Sequence, residues 1–389
     1  MSKVAVNHQT QSIHAEHGVV CTLPGEFFGY FGWPSVARLT TAVDTTAAAD
    51  IAAGDLVVVA SGFRHTHVDP FGRTVLLRSR DEGATWTAPQ VINDLPIDDR
   101  DAGIVDMGGG NLLVSWFSSD TRRYDVAQTY AESDDPQCVQ RYADAFRRMT
   151  DATVRRWLGS WVRLSDDGGD TWGLPLHVPV TAPHGPIWLP EKQALLYLGK
   201  VFDRHSEQRI QAWRSEDRGH TWHLLGTVPL APKTVAAHYH EPHVVALPSG
   251  RLLGLIRIQD RGAAPWLFEA NLPDFSMVQT TSDDGGRTWT TPQPLGFHGS
   301  PPHLLRHSTG ALVAVYGYRL AAYGERAMIS YDNGASWKAG YVLRDDGPDG
   351  DLGYPASVEL SDGSLFTVYY QKRAGSEPCS LLWSRWRLP

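Results

Sequence analysis

The sequence predicts an all-β fold, a six-bladed β-propeller, and two sets of internal repeats carry this prediction. One is a short motif, Ser-x-Asp-x-Gly-x-(Thr/Ser)-Trp, which occurs five times. The other is a pair of apolar strands joined by a polar turn, which occurs six times. The 14 tryptophans and 37 glycines also suit many short strands and tight turns. We therefore expect a single propeller domain over residues 1–389.

Each copy of the short motif has the composition of a tight turn between two strands. The Asp side chain can accept hydrogen bonds from backbone N–H groups two residues on, and the Gly supplies a positive φ. The Thr/Ser-Trp pair then enters the next strand, where the indole covers the apolar side of the hairpin. The copies begin 48 to 86 residues apart, so short gaps fit single blades and long gaps carry insertions. The five copies are SRDEGATW (79–86), SDDGGDTW (165–172), SEDRGHTW (215–222), SDDGGRTW (282–289) and SYDNGASW (330–337).

The six strand pairs place the inner half of each blade. Turns such as Pro-Ser-Gly and Ser-Asp-Gly separate runs rich in Val, Leu and Ile, which is typical of hairpins. No copy of the motif follows the sixth pair, so the stretch HGVVCTLP (17–24) is expected to supply the strand that closes the ring. An unpaired edge there would be an aggregation hazard. The pairs lie at 32–64, 101–117, 185–200, 241–257, 300–319 and 353–371.

Residues 121–157 break the strand pattern. They lack alternation and have a helix-like spacing of apolar residues. We interpret them as a helical insertion in the second blade, in a position to wall one side of the central pocket. A helical decoration that makes no contact with substrate is the alternative.

Composition and charge restrict the class of partner. A net charge of −8 argues against nucleic acid and against an anionic membrane surface, although a local arginine cluster would still accommodate an acidic substrate. The first 18 residues have no apolar segment typical of a signal peptide, and no apolar run reaches the ~20 residues that span a bilayer. Three scattered cysteines, Cys21, Cys138 and Cys379, fit reduced thiols. We expect a cytoplasmic protein, and the sequence leaves its oligomeric state open.

Polar residues mark the positions that should converge on the centre of the ring. In a propeller, the innermost strand of every blade begins at the central channel, where ligands bind. Polar side chains from all six repeats would then form one ring. A ring of this polarity is better explained by a ligand site than by core packing. Starts of inner strands give Trp33, Asp101, His184, His240, Glu241, His243, His303 and Tyr354, and ends of second strands give Arg64, Arg257 and Arg319.

The chain resembles the sialidase superfamily of six-bladed propellers. Its short motifs resemble the Asp boxes of that superfamily, which join the third and fourth strands of a blade at the outer rim and serve as scaffold. In HEPHVVALPSGRLLGLIR, Glu241 and Arg257 are 16 residues apart, as are the family's Glu and Arg. The last repeat resembles the family's Tyr strand and puts Tyr354 in the nucleophile's position. The resemblance implies that Glu241 activates Tyr354 and that Arg257 binds a substrate carboxylate, with Arg319 or Arg326 beside it.

A tyrosine nucleophile suits an acidic sugar. A carboxylate attacking an anomeric centre that carries its own carboxylate would bring two anions together, and a neutral phenol deprotonated by a nearby Glu avoids this repulsion. The family's general acid is an Asp after the second strand of the first blade, which in SGFRHTHVDPFGR corresponds to Asp69 near Arg64. Asp101 is the rival, because it begins an inner strand. The sequence does not decide between them.

Two departures from the family pattern bear on the substrate. Sialidases begin with Phe-Arg-Ile-Pro, whereas this chain has FGWP, so Gly32 stands where the first carboxylate-binding arginine belongs and Trp33 adds bulk. Losing such a contact removes about 1.5–3 kcal/mol of binding free energy. Histidines are also unusually frequent around the pocket, where they could bind sugar hydroxyls, transfer protons or ligate a metal. We predict neither a metal nor a cofactor. The histidines concerned are His65, His67, His184, His240, His243 and His303.

The sequence therefore predicts a sialidase-like exo-glycoside hydrolase that acts on a terminal acidic sugar, as a small molecule or at the end of an oligosaccharide. Two alternatives remain. One is a lyase or hydrolase directed at uronates on the same propeller, and the other is a carbohydrate-binding propeller with no catalytic activity.

Overall fold

Six mainly antiparallel sheets form a closed ring in the computed structural model, which describes residues 4–42, 52–124, 130–202, 207–260, 262 and 264–389. The innermost strands of consecutive sheets contact one another in chain order, and the innermost strand of the last sheet contacts that of the first. The protein is a six-bladed β-propeller, as the repeats predict.

The strands are short and follow one another in the order expected of blades. In chain order they are β1 (Ala5–Ser12), β2 (Ala15–Cys21), β3 (Tyr30–Arg38), β4 (Leu56–Arg64), β5 (Arg73–Ser79), β6 (Gln90–Asn93), β7 (Asp98–Asp106), β8 (Leu112–Ser119), β9 (Gly159–Ser165), β10 (Leu176–Val178), β11 (Val180–Thr181), β12 (Ile187–Leu189), β13 (Ala194–Val201), β14 (Ile210–Ser215), β15 (His223–Thr227), β16 (Tyr239–Ala246), β17 (Leu252–Ile258), β18 (Ser276–Ser282), β19 (Gln293–His298), β20 (Pro302–Arg306), β21 (Leu312–Tyr318), β22 (Tyr323–Ser330), β23 (Ser336–Gly347), β24 (Gly353–Glu359), β25 (Leu365–Gln371) and β26 (Ser380–Trp386). Blades 1 to 6 begin at β3, β7, β11, β16, β20 and β24.

The N-terminal segment completes the last two blades. Strand β2 pairs antiparallel with β26 as the outer strand of blade 6, which confirms the predicted ring closure. Strand β1 pairs parallel with β23 on the outside of blade 5, which the sequence reasoning missed. Its polar sequence, AVNHQTQS, leaves it mostly exposed and gives a weak strand signal.

The apolar core lies between neighbouring blades. One buried cluster joins blades 6 and 1, with Tyr370 and Val368 packed against Val58 and Val75. Five further clusters fill the remaining junctions in the same way. Because the second strands of most blades are covered on both faces, they read as nearly continuous apolar runs. The channel-facing ends of the inner strands are thereby left to carry polar groups.

The five short motifs lie between the third and fourth strands of blades 1 to 5, and their hydrogen bonds repeat from blade to blade. The Ser hydroxyl donates to the Asp at 2.7–2.9 Å and accepts from the Gly N–H at 2.7–2.8 Å. The Asp accepts from the N–H four residues on, at 2.8–2.9 Å, rather than two residues on as expected. In four copies the Trp indole donates to the Gly carbonyl, whereas Trp337 donates to Gln279.

The insertion between β8 and β9 in blade 2 is helical, as predicted, with residues 125–129 lying outside the described part of the chain. It contains α1 (Pro136–Arg148) and α2 (Asp151–Trp157), capped by Asp135 and Thr150. Single 3-10 turns occur at Thr121–Arg123, Pro190–Lys192, Ala236–His238 and Leu267–Ala270. Among the described helices, none has the length and apolar character needed to cross a membrane.

The insertion packs on a loop of blade 1 that borders the central pocket. The Tyr142 hydroxyl of α1 hydrogen-bonds His65 Nδ1 at 3.0 Å, and the Tyr142 ring packs edge-on against Phe71. The loop from His65 to Phe71 carries His67, which lines the pocket. Tyr124 of the insertion also lines the pocket. The insertion therefore walls one side of the pocket, as the sequence interpretation held.

Candidate active site

Four inner strands begin with the same backbone distortion. In blades 1, 2, 4 and 6, two consecutive residues drop out of the strand ladder, and the first of them has a φ between 45° and 53°. A β-bulge re-aims a side chain, and a left-handed conformation at a residue other than glycine costs free energy of about 1–3 kcal/mol. The side chains at this equivalent position are Trp33, Asp101, Glu241 and Tyr354.

Side chains from five of the six blades enclose a cavity of about 350 Å³ at the channel. This volume is within the range of pockets that hold small molecules. The predicted residues that line it are His67, Asp101, Glu241, Arg257, Arg319 and Tyr354. Other lining residues had not been singled out from the sequence, namely Val68, Arg100, Phe117, Ser119, Tyr124, Gln259 and Phe275.

Tyr354, Glu241 and Arg257 form one hydrogen-bonded group across blades 6 and 4. The Tyr354 hydroxyl donates to Glu241 Oε1 at 2.7 Å. Arg257 Nη1 donates to Glu241 Oε2 and also to the Tyr354 oxygen, the latter at 3.1 Å. Arg257 Nη2 donates to Gln259 Oε1 at 2.6 Å. The Glu241 carboxylate is therefore in place to accept the phenol proton.

The protonation states of this group follow from burial and charge. Burial on its own would raise the pKa of the Glu241 carboxyl, but the charge of Arg257 and the hydrogen bond from Tyr354 outweigh it and lower that pKa. Burial, reinforced by the Glu241 charge, raises the pKa of the Tyr354 phenol. Tyr354 is thus neutral and Glu241 ionised at neutral pH, which is the starting state of a phenol nucleophile with an adjacent base.

Asp101 lies in the same cavity with a different protonation tendency. Burial raises the pKa of its carboxyl to about 7, and the Glu241 carboxylate adds to this shift, while Arg100 and Arg257 oppose it. Two carboxyl groups with separated pKa values are the usual arrangement for an acid and a base in one site. Asp101 is therefore equipped to donate a proton near neutral pH.

Asp69, the other candidate acid, lies outside the cavity. Its carboxylate is fully buried and accepts hydrogen bonds at 2.8 Å from the backbone N–H groups of His65, Thr66 and Phe71. Arg64 is equally buried and binds Asp98 through both terminal nitrogens. Both predicted site residues thus shape the blade 1 loop, and the structure brings Asp101 rather than Asp69 to the cavity.

The two arginines that sequence reasoning had considered as partners of Arg257 occupy different places. Arg319 lines the cavity and donates to the carbonyls of Ser300 at 3.0 Å and Leu352 at 2.7 Å. Arg326 lies outside the cavity and donates to backbone carbonyls of its own blade. Of these two arginines, only Arg319 therefore lines the cavity.

The family of the chain is shown by a match over residues 151–367 to the BNR repeat-like domain. The chain belongs to that family. Among curated proteins, no sequence matches it. The solved structures that it resembles include sialidases, and the fold is that of the sialidase-like superfamily.

Three structures illustrate how far the likeness of this BNR repeat-like propeller extends. A protein of unknown function from Dyadobacter fermentans matches with a TM-score of 0.72 and 23% identity, over 96% of this chain and 98% of that one. NanB sialidase from Streptococcus pneumoniae matches with a TM-score of 0.64 and 13% identity, over 95% and 70%. Trypanosoma rangeli sialidase, in complex with the inhibitor DANA, matches with a TM-score of 0.58 and 15% identity, over 92% and 55%. The chain thus spans about half of the trypanosomal protein, and these identities show the fold alone.

Five of the six histidines predicted around the pocket fall into two groups, and the sixth, His65, bonds Tyr142 outside the cavity lining. His67 lines the cavity and bonds Asp351 at 2.7 Å, whereas His240 lies near the cavity with Nδ1 3.2 Å from Lys200 Nζ. Three others, His184, His243 and His303, pack with ring centroids 4.5–5.6 Å apart outside the cavity lining.

Those three rings are arranged as neutral packing groups. Nδ1 of His243 accepts from the Leu304 N–H and Nδ1 of His303 accepts from the Ser357 N–H, so the proton of each ring is on Nε2. Burial lowers the pKa of all three. Among the described residues, no group of three or more His, Cys, Asp or Glu side chains is arranged to hold a metal ion.

The region around Gly32 explains what replaces the family's first arginine. A Cβ at Gly32 would lie 3.2 Å from the Tyr30 ring, so Tyr30 fills that direction. Trp33 is only 1% exposed and is not part of the cavity wall. Its indole instead carries the guanidinium of Arg100 at 4.2 Å. Trp33, a predicted substrate-binding residue, therefore lies behind Arg100 and does not line the cavity.

Arg100 is the main residue that sequence reasoning missed. It precedes Asp101, and strand alternation predicts that two consecutive residues point to opposite faces. The bulge at Asp101 breaks this alternation, so both side chains reach the cavity. The neighbouring Asp98 and Asp99 are buried at the start of β7.

Proposed function

We propose that this protein is an exo-acting glycoside hydrolase for a terminal acidic sugar, with Tyr354 as the nucleophile. The hydrogen bond between Tyr354 and Glu241, tied to Arg257, is the observation that carries this proposal. A phenol beside a carboxylate in the wall of a pocket is an arrangement that covalent catalysis needs and core packing does not. The sialidase fold of the chain supports the same reaction class.

The first step forms a covalent intermediate. The Tyr354 oxygen attacks the anomeric carbon while its proton passes to Glu241, and the glycosidic C–O bond breaks. Asp101 gives its proton to the departing oxygen, since its carboxyl is the one held protonated near neutral pH. Arg257 and Arg319 attract the substrate's acidic group, because both guanidinium groups line the same cavity.

The second step releases the sugar. Water attacks the anomeric carbon and gives a proton to Asp101, the bond to the Tyr354 oxygen breaks, and Glu241 returns the phenol proton. Each catalytic group ends in its starting state, so the sequence of steps balances and the outcome is hydrolysis with retention.

The missing arginine at Gly32 favours a uronic acid glycoside as a second candidate substrate. Sialic acid presents its carboxylate on the anomeric carbon, where the three family arginines meet. A uronic acid presents it on C5, across the ring oxygen from the anomeric carbon, and depends less on that cluster. The same Tyr354 chemistry, or elimination of the leaving group, would act on it.

The test is release of an aryl alcohol from an aryl α-sialoside and an aryl glucuronide by the wild type, Tyr354→Phe and Glu241→Gln. We expect turnover of at least one acidic glycoside and a fall of roughly 10²–10⁴-fold in kcat for Glu241→Gln, the usual contribution of a positioned base. Tyr354→Phe should fall at least as far.

The matched control is Tyr239→Phe, which removes the hydroxyl of another buried tyrosine whose partners are Ala231 and Thr234. It should keep full activity. Turnover in Tyr354→Phe equal to that of the wild type would refute the nucleophile. Binding of an acidic sugar with no turnover, or a product that absorbs in the near ultraviolet, would point to a binding protein or a lyase.

A further inference from the structure

We propose that Arg100, held on the face of Trp33, binds the acidic group of the substrate and supplies the guanidinium that Gly32 cannot. This inference rests on the proposed function, because it assigns a specificity residue to the same cavity. It differs from the family pattern, since the guanidinium comes from blade 2 rather than from blade 1.

The other two arginines of the cavity are largely occupied by protein oxygens. Arg257 directs Nη1 at Glu241 and Tyr354 and Nη2 at Gln259. Arg319 directs both terminal nitrogens at the backbone carbonyls of blade 5 and of the segment before β24. A carboxylate entering the cavity therefore meets guanidinium groups whose forks already have acceptors.

Arg100 has its donors available. Its side chain is 12% exposed, and within the described chain its one ion pair is with Asp98, at 3.7 Å. That carboxylate already accepts from both terminal nitrogens of Arg64. Within the part of the chain that the structure describes, the Arg100 guanidinium donates no hydrogen bond to protein, so its N–H groups are free for a ligand in the cavity.

Trp33 holds this guanidinium in place. The indole is buried and lies 4.2 Å from the Arg100 guanidinium, while Arg64 lies 4.9 Å away over the same ring. Stacking on an indole face is favourable for a guanidinium and fixes its plane. A planar fork fixed before binding loses less conformational entropy when it engages a carboxylate.

The identity of residues 32 and 33 then has one explanation. Gly32 leaves room for the Tyr30 ring, and Tyr30 bonds Asp351 at 3.0 Å. Trp33 turns its indole toward blade 2 and receives Arg100. The loss of an arginine in blade 1 and the platform for one from blade 2 are thus two parts of one rearrangement.

The test measures binding rather than turnover, because the Arg100 charge also acts on the Asp101 carboxyl. A change in turnover would therefore not isolate the effect on substrate binding. Calorimetric titration with N-acetylneuraminic acid and with D-glucuronic acid is compared with titration by their methyl esters, which lack the charge. Wild type is set beside Arg100→Met, Arg100→Lys and, as a control for the same change at an exposed helix position, Arg147→Met.

We expect Arg100→Met to weaken binding of the preferred acid by roughly ten- to a hundredfold, the usual effect of losing a charged hydrogen bond. Binding of the ester should not change. Arg100→Lys should fall between the two, because a lysine keeps the charge but not the stacked fork. Arg147→Met should match the wild type.

Equal binding of the acid by the wild type and Arg100→Met would overturn the inference and leave the proposed hydrolase standing. Acid binding that depends on Arg100 in a protein without turnover would overturn the hydrolase and keep the inference. A wild type that binds neither acid would overturn both.

Discussion

The rim and the centre of this propeller use repetition in opposite ways. At the rim, five blades carry the same motif and the same hydrogen bond from the Gly N–H to the Ser hydroxyl, so sequence and structure repeat together. At the centre, four blades carry the same bulge with a different side chain in each, namely Trp33, Asp101, Glu241 and Tyr354. The backbone repeats while the chemistry does not. One blade geometry thereby delivers three unlike groups, Asp101, Glu241 and Tyr354, to a single cavity, and in blade 1 it places Trp33 beneath Arg100.

We expect the largest effect at the centre of the propeller, on the pH dependence of kcat/KM in Asp101→Asn. Because burial raises the pKa of this carboxyl to about 7, the protonated form that a general acid needs is present below that pH and is lost above it. Wild-type kcat/KM should therefore fall as pH rises through about 7. In Asp101→Asn this alkaline limb should vanish, and the rate should drop by roughly 10²–10⁴-fold for a poor leaving group.

A good aryl leaving group needs little protonation and should lose far less activity in this variant. The measurement is kcat/KM between pH 5 and 9 for two aryl glycosides of different leaving-group pKa. Asp69→Asn is the matched comparison, because its carboxylate binds backbone amides outside the cavity. An alkaline limb that disappears in Asp69→Asn and persists in Asp101→Asn would reverse the assignment.

The Gly32→Arg variant tests whether an arginine at the position used by sialidases fits in this propeller. Its side chain would start 3.2 Å from the Tyr30 ring and 3.7 Å from the Tyr370 ring, so we expect overpacking that lowers the free energy of unfolding by about 1–3 kcal/mol. Affinity for acidic sugars should not increase. Denaturant titration and acid binding measure both effects.

Gly375→Arg is the control for that change, because a Cβ at Gly375 meets open space. It should leave both stability and binding unaltered. Tighter binding of sialic acid by Gly32→Arg at unchanged stability would mean that the site retains room for the missing arginine.

Ser215→Ala tests the rim. The Ser215 hydroxyl accepts from the buried Gly219 N–H at 2.7 Å and donates to Asp217 at 2.8 Å, so its loss leaves a buried donor unpaired. We expect the free energy of unfolding to fall by about 1–2 kcal/mol with kcat unchanged. Ser376→Ala, at an exposed loop position, should change neither. A fall in kcat without loss of stability would contradict the division between scaffold and site.

The parts of the fold that the sequence predicted are those with local signals. The motif turns and five of the six strand pairs each lie within 20 residues of sequence, and together the repeats predict the number of blades. Strand β1 was not predicted because it is polar and pairs in parallel with β23, some 330 residues away in sequence. Nothing local marks such a pairing.

Site residues could be predicted where they occupy equivalent positions in the repeats. They could not be predicted where the direction of a side chain decides whether it reaches the cavity. Asp101, Glu241 and Tyr354 occupy equivalent positions in their repeats, so aligning the repeats found them. Asp69 and Arg326 could not be distinguished from pocket residues by sequence position alone. The structure shows that Asp69 instead accepts from backbone N–H groups and that Arg326 donates to backbone carbonyls. Arg100 was missed because a bulge overrides the alternation that sequence reasoning assumes.

The pairing of β2 with β26 has a consequence for the order in which the molecule is made. The chain emerges from the ribosome from its N-terminal end, and domains fold as units once their residues are available. Residues 15–21 find their partners only when residues 380–386 have been synthesised. Strand β2 must therefore remain without its partner strand while residues 22–379 are synthesised, before the last blade can close.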